Sequence, residues 1–234
     1  MRHTTAFHTF GTRESLQIDA ANWIETRLAD ALSRRGKASL ICSGGSTPGP
    51  VYETLSDIDL DWPNVTVGLA DERWVPADDE ASNEKLVRDT LFRNKAAAAS
   101  FIPMTTDADS PFGAETEVHQ AYLPITSPVD VMVLGMGPDG HTLSWFADAK
   151  GLGAATDPGN LLHVAPIEAP KTKVTGDITQ RMTLTLPVVA RTRHILLIIS
   201  GDKKRRVYER RDKAHPVTLM RKAAGDALTV FYCS

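Results

Sequence analysis

The chain has 234 residues, 42% of them hydrophobic and 24% charged, enough to build one large α/β domain around a substantial core. Its net charge of −3 gives no general attraction to nucleic acid or an anionic membrane, and no apolar stretch reaches membrane-spanning length. Two cysteines, Cys42 and Cys233, are too few for a disulfide framework, and residues 1–8 hold no apolar signal core, so a cytoplasmic protein is expected.

Leu16, Ala20, Ile24, Leu28 and Leu32 recur every fourth residue between 13 and 35, with Ala31 beside them. That stripe predicts an amphipathic helix, stopped by Gly36. A strand at 38–42 follows, then a glycine loop and a helix from about Pro48 that buries Val51 and Leu55. The turn Trp62-Pro63-Asn64 leads to a strand at 65–70. Ser82 caps a helix over about 84–92, with Leu86, Val87 and Leu91 facing inward. Residues 94–111 read as irregular apart from a strand at 100–104. A helix near 113–122 precedes a strand at 129–134, which ends in a polar loop and a helix start just beyond His141.

Residues 148–160 read as a mobile loop near the site. Strands are predicted at 161–165 and 182–186. His194–Ser200 is almost wholly apolar, as a strand buried on both faces should be. A basic helix at 203–211 and a strand at 228–232 close the chain. Alternating strands and helices predict an α/β fold with a mostly parallel, Rossmann-like sheet flanked by helices, the whole of 1–234 forming one domain.

Three polar loops, each ending an apolar strand, are expected to meet at the carboxyl edge of that sheet, where chemistry sits in open α/β folds. Ser43-Gly-Gly-Ser-Thr-Pro48 sets paired glycines and hydroxyls before a helix, which suits a phosphate. It lacks the lysine of a P-loop, and Pro48 stands where a hydrolase nucleophile elbow needs its second glycine. Asp71-Glu-Arg-Trp-Val-Pro76 reads alone as a local ion pair, but beside the glycine loop Arg73 could hold a developing oxyanion or a carboxylate product. The third loop contains Gly135-x-Gly137-x-x-Gly140, yet no acid follows at the spacing a dinucleotide site needs, and Pro138 and Asp139 occupy its centre. An acid/base loop carrying Asp139 and His141 is the better reading. The seven histidines show no paired metal-ligand spacing, so no metal is expected. Cys42 reads as a buried strand-end thiol and the 203–206 basic run as a solvated helix face, one lysine of which could turn toward a phosphate.

Together with Ser82-Asn83 and Arg181-Met-Thr-Leu-Thr-Leu-Pro187, these segments resemble, in order from about residue 10 to 225, the 6-phosphogluconolactonase members of the glucosamine-6-phosphate isomerase/6-phosphogluconolactonase family. The resemblance implies a sheet similar to those of glucosamine-6-phosphate deaminase and ribose-5-phosphate isomerase. It implies hydrolysis of 6-phospho-D-glucono-1,5-lactone in the pentose phosphate pathway without a cofactor. The implied partner is a small phosphosugar lactone, with no nucleic acid or membrane, in a monomer or weak homo-oligomer. His141 is the implied general base, and Asp139 orients it or the substrate. Arg73 meets charge near the lactone, and Asp71 completes the catalytic set. Ser43, Gly44, Gly45, Ser46, Thr47, Arg181 and Lys204 hold the phosphate; Lys204 fits the family's Gly-x-x-Lys spacing better than Lys203.

Departures from the family pattern are Leu143 for a small residue, Trp145 for an aliphatic one, Ala147 for proline, and a C-terminal end without the usual tryptophan. Bulk at 143 and 145 is expected to narrow the site. Two alternatives stand beside the lactonase. A glucosamine-6-phosphate deaminase shares the Asp-Gly-His turn but looks for a carboxylate five residues beyond the histidine, where this chain has Phe146. A non-catalytic sugar-phosphate sensor shares the fold, though no DNA-binding helix pair is appended.

Overall fold

The computed structural model describes residues 5–234; His3 and the start of the N-terminal segment lie outside them. The first strand, β1 (Ala6–Phe10), leads into α1 (Arg13–Arg35). Thr12 caps α1 by accepting from the Ser15 N–H at 3.1 Å, and Gly36, at φ 69°, ends it with an N–H to the Leu32 carbonyl. A left-handed residue is what that C-cap requires, and glycine adopts it without a Cβ clash. Leu16, Ala20, Ile24 and Leu28 are buried as the stripe predicts.

The chain continues through β2 (Ala38–Cys42), α2 (Gly49–Ser56), β3 (Val65–Leu69), β4 (Asp71–Arg73), α3 (Asn83–Thr90), β5 (Ser100–Phe101) and α4 (Glu115–Tyr122). It goes on with β6 (Val131–Gly135), α5 (Leu152–Ala155), β7 (Val164–Glu168), β8 (Gln180–Leu184), α6 (Leu186–Arg191), β9 (His194–Ser200), α7 (Asp202–Arg210), α8 (Pro216–Ala224) and β10 (Leu228–Cys233). Seven strands form one all-parallel sheet in the order β1-β10-β9-β6-β2-β3-β5. Connections from β2 run outward through β3 to β5, whereas β6, β9 and β10 build on its other side. The strand order therefore reverses between β2 and β6, and a crevice opens beyond their carboxyl ends. A separate antiparallel sheet, β4-β8-β7, stands against that crevice.

Several expectations need correction. No helix starts after His141: Leu143 takes φ 51°, Ser144 bonds to Asp71, and the Trp145 indole donates to the Leu184 carbonyl at 3.0 Å. These long-range bonds hold 141–148 as a loop. Residues 148–160 contain α5 and are tied to β7 by reciprocal Lys150–Glu168 backbone bonds; none of them lines the crevice. The expected strand at 161–165 runs later, as β7, and that at 182–186 earlier, as β8, while that at 100–104 shortens to two residues. Asp71–Arg73 is a strand of the second sheet and not a loop. Among the described residues no helix is long and apolar enough to cross a membrane.

Candidate active site

A cavity of about 450 Å³ occupies the crevice, and every predicted site residue except Asp139 lines it. The first wall is the turn after β2. Tyr52, buried under it, donates its hydroxyl to the Ser43 carbonyl and accepts the Ser43 N–H, both at 3.0 Å. Beyond that anchor, the N–H groups of residues 44–47 donate to no other described residue. Gly45 sits at φ 107°, in the region open to glycine. A Cβ on Gly44 would lie 1.8 Å from Asn83 Oδ1, so the close approach of this turn to α3 depends on that glycine. The Ser43 hydroxyl is buried with no partner. Free amides ahead of a helix, with spare hydroxyls, form an anion cradle.

The second wall is the turn after β6. Gly137 N–H bonds to the His141 carbonyl at 2.9 Å, and Gly140, at φ 83°, closes the loop. His141 Nδ1 lies 2.6 Å from Asp139 Oδ1. Burial pushes the Asp139 carboxyl up, but the hydrogen bond and charge of His141 outweigh it, leaving the group below its ordinary value. An ionised carboxylate only accepts, so Nδ1 of a neutral ring carries the proton and Nε2 keeps its lone pair. Gly137 makes room for this pair: a Cβ there would meet the imidazole at 2.1 Å and Asp139 Oδ1 at 2.5 Å. Phe146 supports the ring from the side, with centroids 4.3 Å apart.

The third wall is cationic. Pairing of β4 with β8 sets Arg73 directly opposite Arg181, a juxtaposition of like charges that an anion would relieve. Arg73 is held by the Ala81 carbonyl at 2.8 Å and Asn83 Oδ1 at 3.1 Å. Arg181 is 4% exposed, its Nε has no partner, and its guanidinium lies 5.2 Å from the Phe146 ring centre. Burial, helped by neighbouring Arg73, lowers the Arg181 pKa against the pull of Asp71 and Glu72. Lys204, in the first turn of α7, enters the same cavity while Lys203 is exposed. Burial lowers the Lys204 pKa, opposed by Asp139.

Among the described residues, the ion pair expected within Asp71-Glu-Arg does not form. Asp71 accepts from Ser144 Oγ at 2.6 Å. Glu72 turns away and caps α3, accepting from the N–H groups of Asn83 at 2.8 Å and Glu84 at 2.7 Å. Trp145 is fully buried in the core and does not narrow the site, whereas Leu143 does line it. Cys42 is a buried thiol whose pKa burial pushes up to about 12.

Sequence reasoning gave no role to two positioning residues, Asn83, which it named only within the Ser82-Asn83 segment, and Ser144. Asn83 ties Arg73 to the Asp71 carbonyl, the latter through Nδ2 at 2.7 Å. Ser144 holds Asp71. The signal for Asn83 was its place after the cap residue Ser82; Ser144 gave none, because its bond spans 73 residues. Among the described residues, no group of three or more His, Cys, Asp or Glu side chains is placed to hold a metal ion.

The family described as glucosamine-6-phosphate isomerases/6-phosphogluconolactonase matches residues 11–229. A 6-phosphogluconolactonase of Rhizobium meliloti (strain 1021) is 36% identical over 230 residues, covering 96% of this chain and 97% of its own. One from Pseudomonas aeruginosa is 44% identical over 180 residues, 76% of this chain and 73% of its own. The crystal structure of a 6-phosphogluconolactonase from Shewanella baltica superposes with a TM-score of 0.90 at 33% identity, covering all of both chains.

Proposed function

The chain belongs to the glucosamine-6-phosphate isomerase/6-phosphogluconolactonase family, and from that premise we propose that it hydrolyses 6-phospho-D-glucono-1,5-lactone to 6-phospho-D-gluconate in the oxidative pentose phosphate pathway. The observation that carries this reading is the placement of the Asp139–His141 pair across one cavity from the free amides of residues 44–47. The phosphate rests on that cradle, between Lys204 and Arg181. This anchor does no chemistry itself, but it fixes the ring so that the carbonyl and a water meet in a reactive geometry.

His141 Nε2 takes a proton from the water as it attacks the lactone carbonyl, and Asp139 steadies the imidazolium that forms. A positioned general base is typically worth on the order of 10²–10⁴ in rate. Arg73 and Asn83, held together beside Asp71, face the oxygen on which negative charge builds. The tetrahedral intermediate then expels the ring oxygen, which regains the proton from His141 to give the open-chain acid. Residues 1–234 act in this account as one sugar-phosphate hydrolase domain working in the cytoplasm.

Phe146 separates this chemistry from deamination. It fills, with an apolar ring, the place where ring-opening chemistry needs a carboxylate. The test generates the lactone from glucose 6-phosphate with its dehydrogenase and follows 6-phosphogluconate formation. Acceleration above the spontaneous rate is expected, with no ammonia released from glucosamine 6-phosphate; the opposite pattern would replace the lactonase by a deaminase.

A further inference from the structure

A second chamber of about 340 Å³ lies behind Lys204 and shares Ser46, Thr47 and Lys204 with the main cavity. Its far side is formed by Arg13 and Gln17 of α1, and Ser200 also lines it. Among the described residues, its only charged lining residues are Arg13 and Lys204, both cations. Among the described residues no hydrogen bond or ion pair is made by the side chains of Arg13, Lys204, Ser46, Thr47 or Ser200. Arg13 also sits in the first turn of α1, where the helix dipole disfavours a positive charge. Glu14 in the same turn meets the dipole, but the Arg13 guanidinium itself is left facing the chamber with no partner among the described residues.

We propose that Arg13 is a further phosphate-specificity residue, reaching the substrate's phosphate through this chamber from the side opposite Arg181. Ser46, Thr47 and Lys204 line both cavities, so an anion at their junction is open to Arg13 from behind. The inference rests on the lactonase reading, which supplies the phosphorylated substrate. It adds a contact outside the three loops, from the helix that precedes β2. A guanidinium suits the role because it stays charged at every working pH and presents paired donors to phosphate oxygens.

The experiment measures lactone hydrolysis by wild type, Arg13→Gln and Arg13→Lys, on 6-phospho-D-glucono-1,5-lactone and on unphosphorylated D-glucono-1,5-lactone. With Arg13→Gln, KM for the phosphorylated lactone should rise about tenfold with kcat unchanged, the loss expected for one charge-assisted contact. Turnover of the unphosphorylated lactone should not change, and Arg13→Lys should restore most of the affinity. Equal losses on both lactones would make Arg13 structural, and no change on either would remove it from the site. Calorimetric titration of the same variants with 6-phosphogluconate reads the contact without turnover. Wild type inactive on the lactone but binding 6-phosphogluconate through Arg13 would sink the lactonase reading and keep this one.

Discussion

The two ends of the parallel sheet handle buried polar groups in opposite ways. At the amino edge, Asp130 is 6% exposed and surrounded by partners. It receives Arg35, Arg193 at 3.3 Å and the Ser39 N–H at 3.0 Å, while its own N–H donates to Ser39 Oγ at 2.9 Å. These groups come from the end of α1 and the starts of β2, β6 and β9, so one carboxylate ties four elements together. At the carboxyl edge, Ser43 Oγ and Arg181 Nε are buried and have no partner among the described residues. The amides of residues 44–47 are equally free. Satisfied polar groups cement a fold, and unsatisfied ones cost stability unless a ligand completes them. The amino edge is built for the fold and the carboxyl edge for a guest.

The largest expected effect short of removing the imidazole itself tests how tightly the carboxyl edge is arranged. Gly137→Ala should leave the fold intact but push the imidazole off its station, lowering turnover on the order of 10²-fold; steady-state kinetics beside a thermal melt reads both. Asp130→Ala should do the reverse. Removing a buried partner at the amino edge should lower unfolding free energy by about 3 kcal/mol. Both arginines are partly exposed and can rehydrate, which keeps the loss at the low end, with kcat of the folded enzyme unchanged. Chemical denaturation and activity on one preparation would separate the two. Loss of activity without loss of stability would put Asp130 in the wrong category.

How much of this contrast could be read from the sequence depends on the range of the forces involved. The α1 stripe and the β2 and β9 runs were legible because local periodicity and continuous burial specify them. The glycine loop and the Asp139–His141 turn were legible because glycines and hydroxyls before a helix carry a local mechanism. The second sheet was not, since β4 is three residues long and pairs with a strand more than a hundred residues later. Nor was β1, whose mostly exposed residues are held by pairing with β10 and not by a pattern of their own. The six-residue α6 and the nine-residue, proline-led α8 went unread, as both are too short to repeat an apolar stripe over several turns as α1 does. The segment after His141 reads as helical in composition, but Asp71 and Leu184 capture its polar groups from far away in sequence.

Two smaller effects refine the contrast. Ser43→Ala removes an unpartnered buried hydroxyl, so stability should hold or rise by up to about 1 kcal/mol. Affinity for 6-phosphogluconate should fall about fivefold; a clear drop in stability would mean that the hydroxyl has a structural partner. The smallest effect concerns pH. Burial lowers the Lys204 pKa, so its ammonium is lost on raising the pH while an ordinary lysine is still charged. Affinity for 6-phosphogluconate should therefore weaken across that alkaline range, and Lys204→Arg, which keeps its charge, should flatten the profile.

The most direct test is His141→Ala, followed by turnover in the coupled assay and by 6-phosphogluconate affinity in calorimetry. The account predicts that kcat falls by about 10²–10⁴ while the dissociation constant moves less than about threefold, because other residues hold the phosphate. Turnover close to that of the unchanged protein, or loss of binding in step with loss of rate, would contradict it.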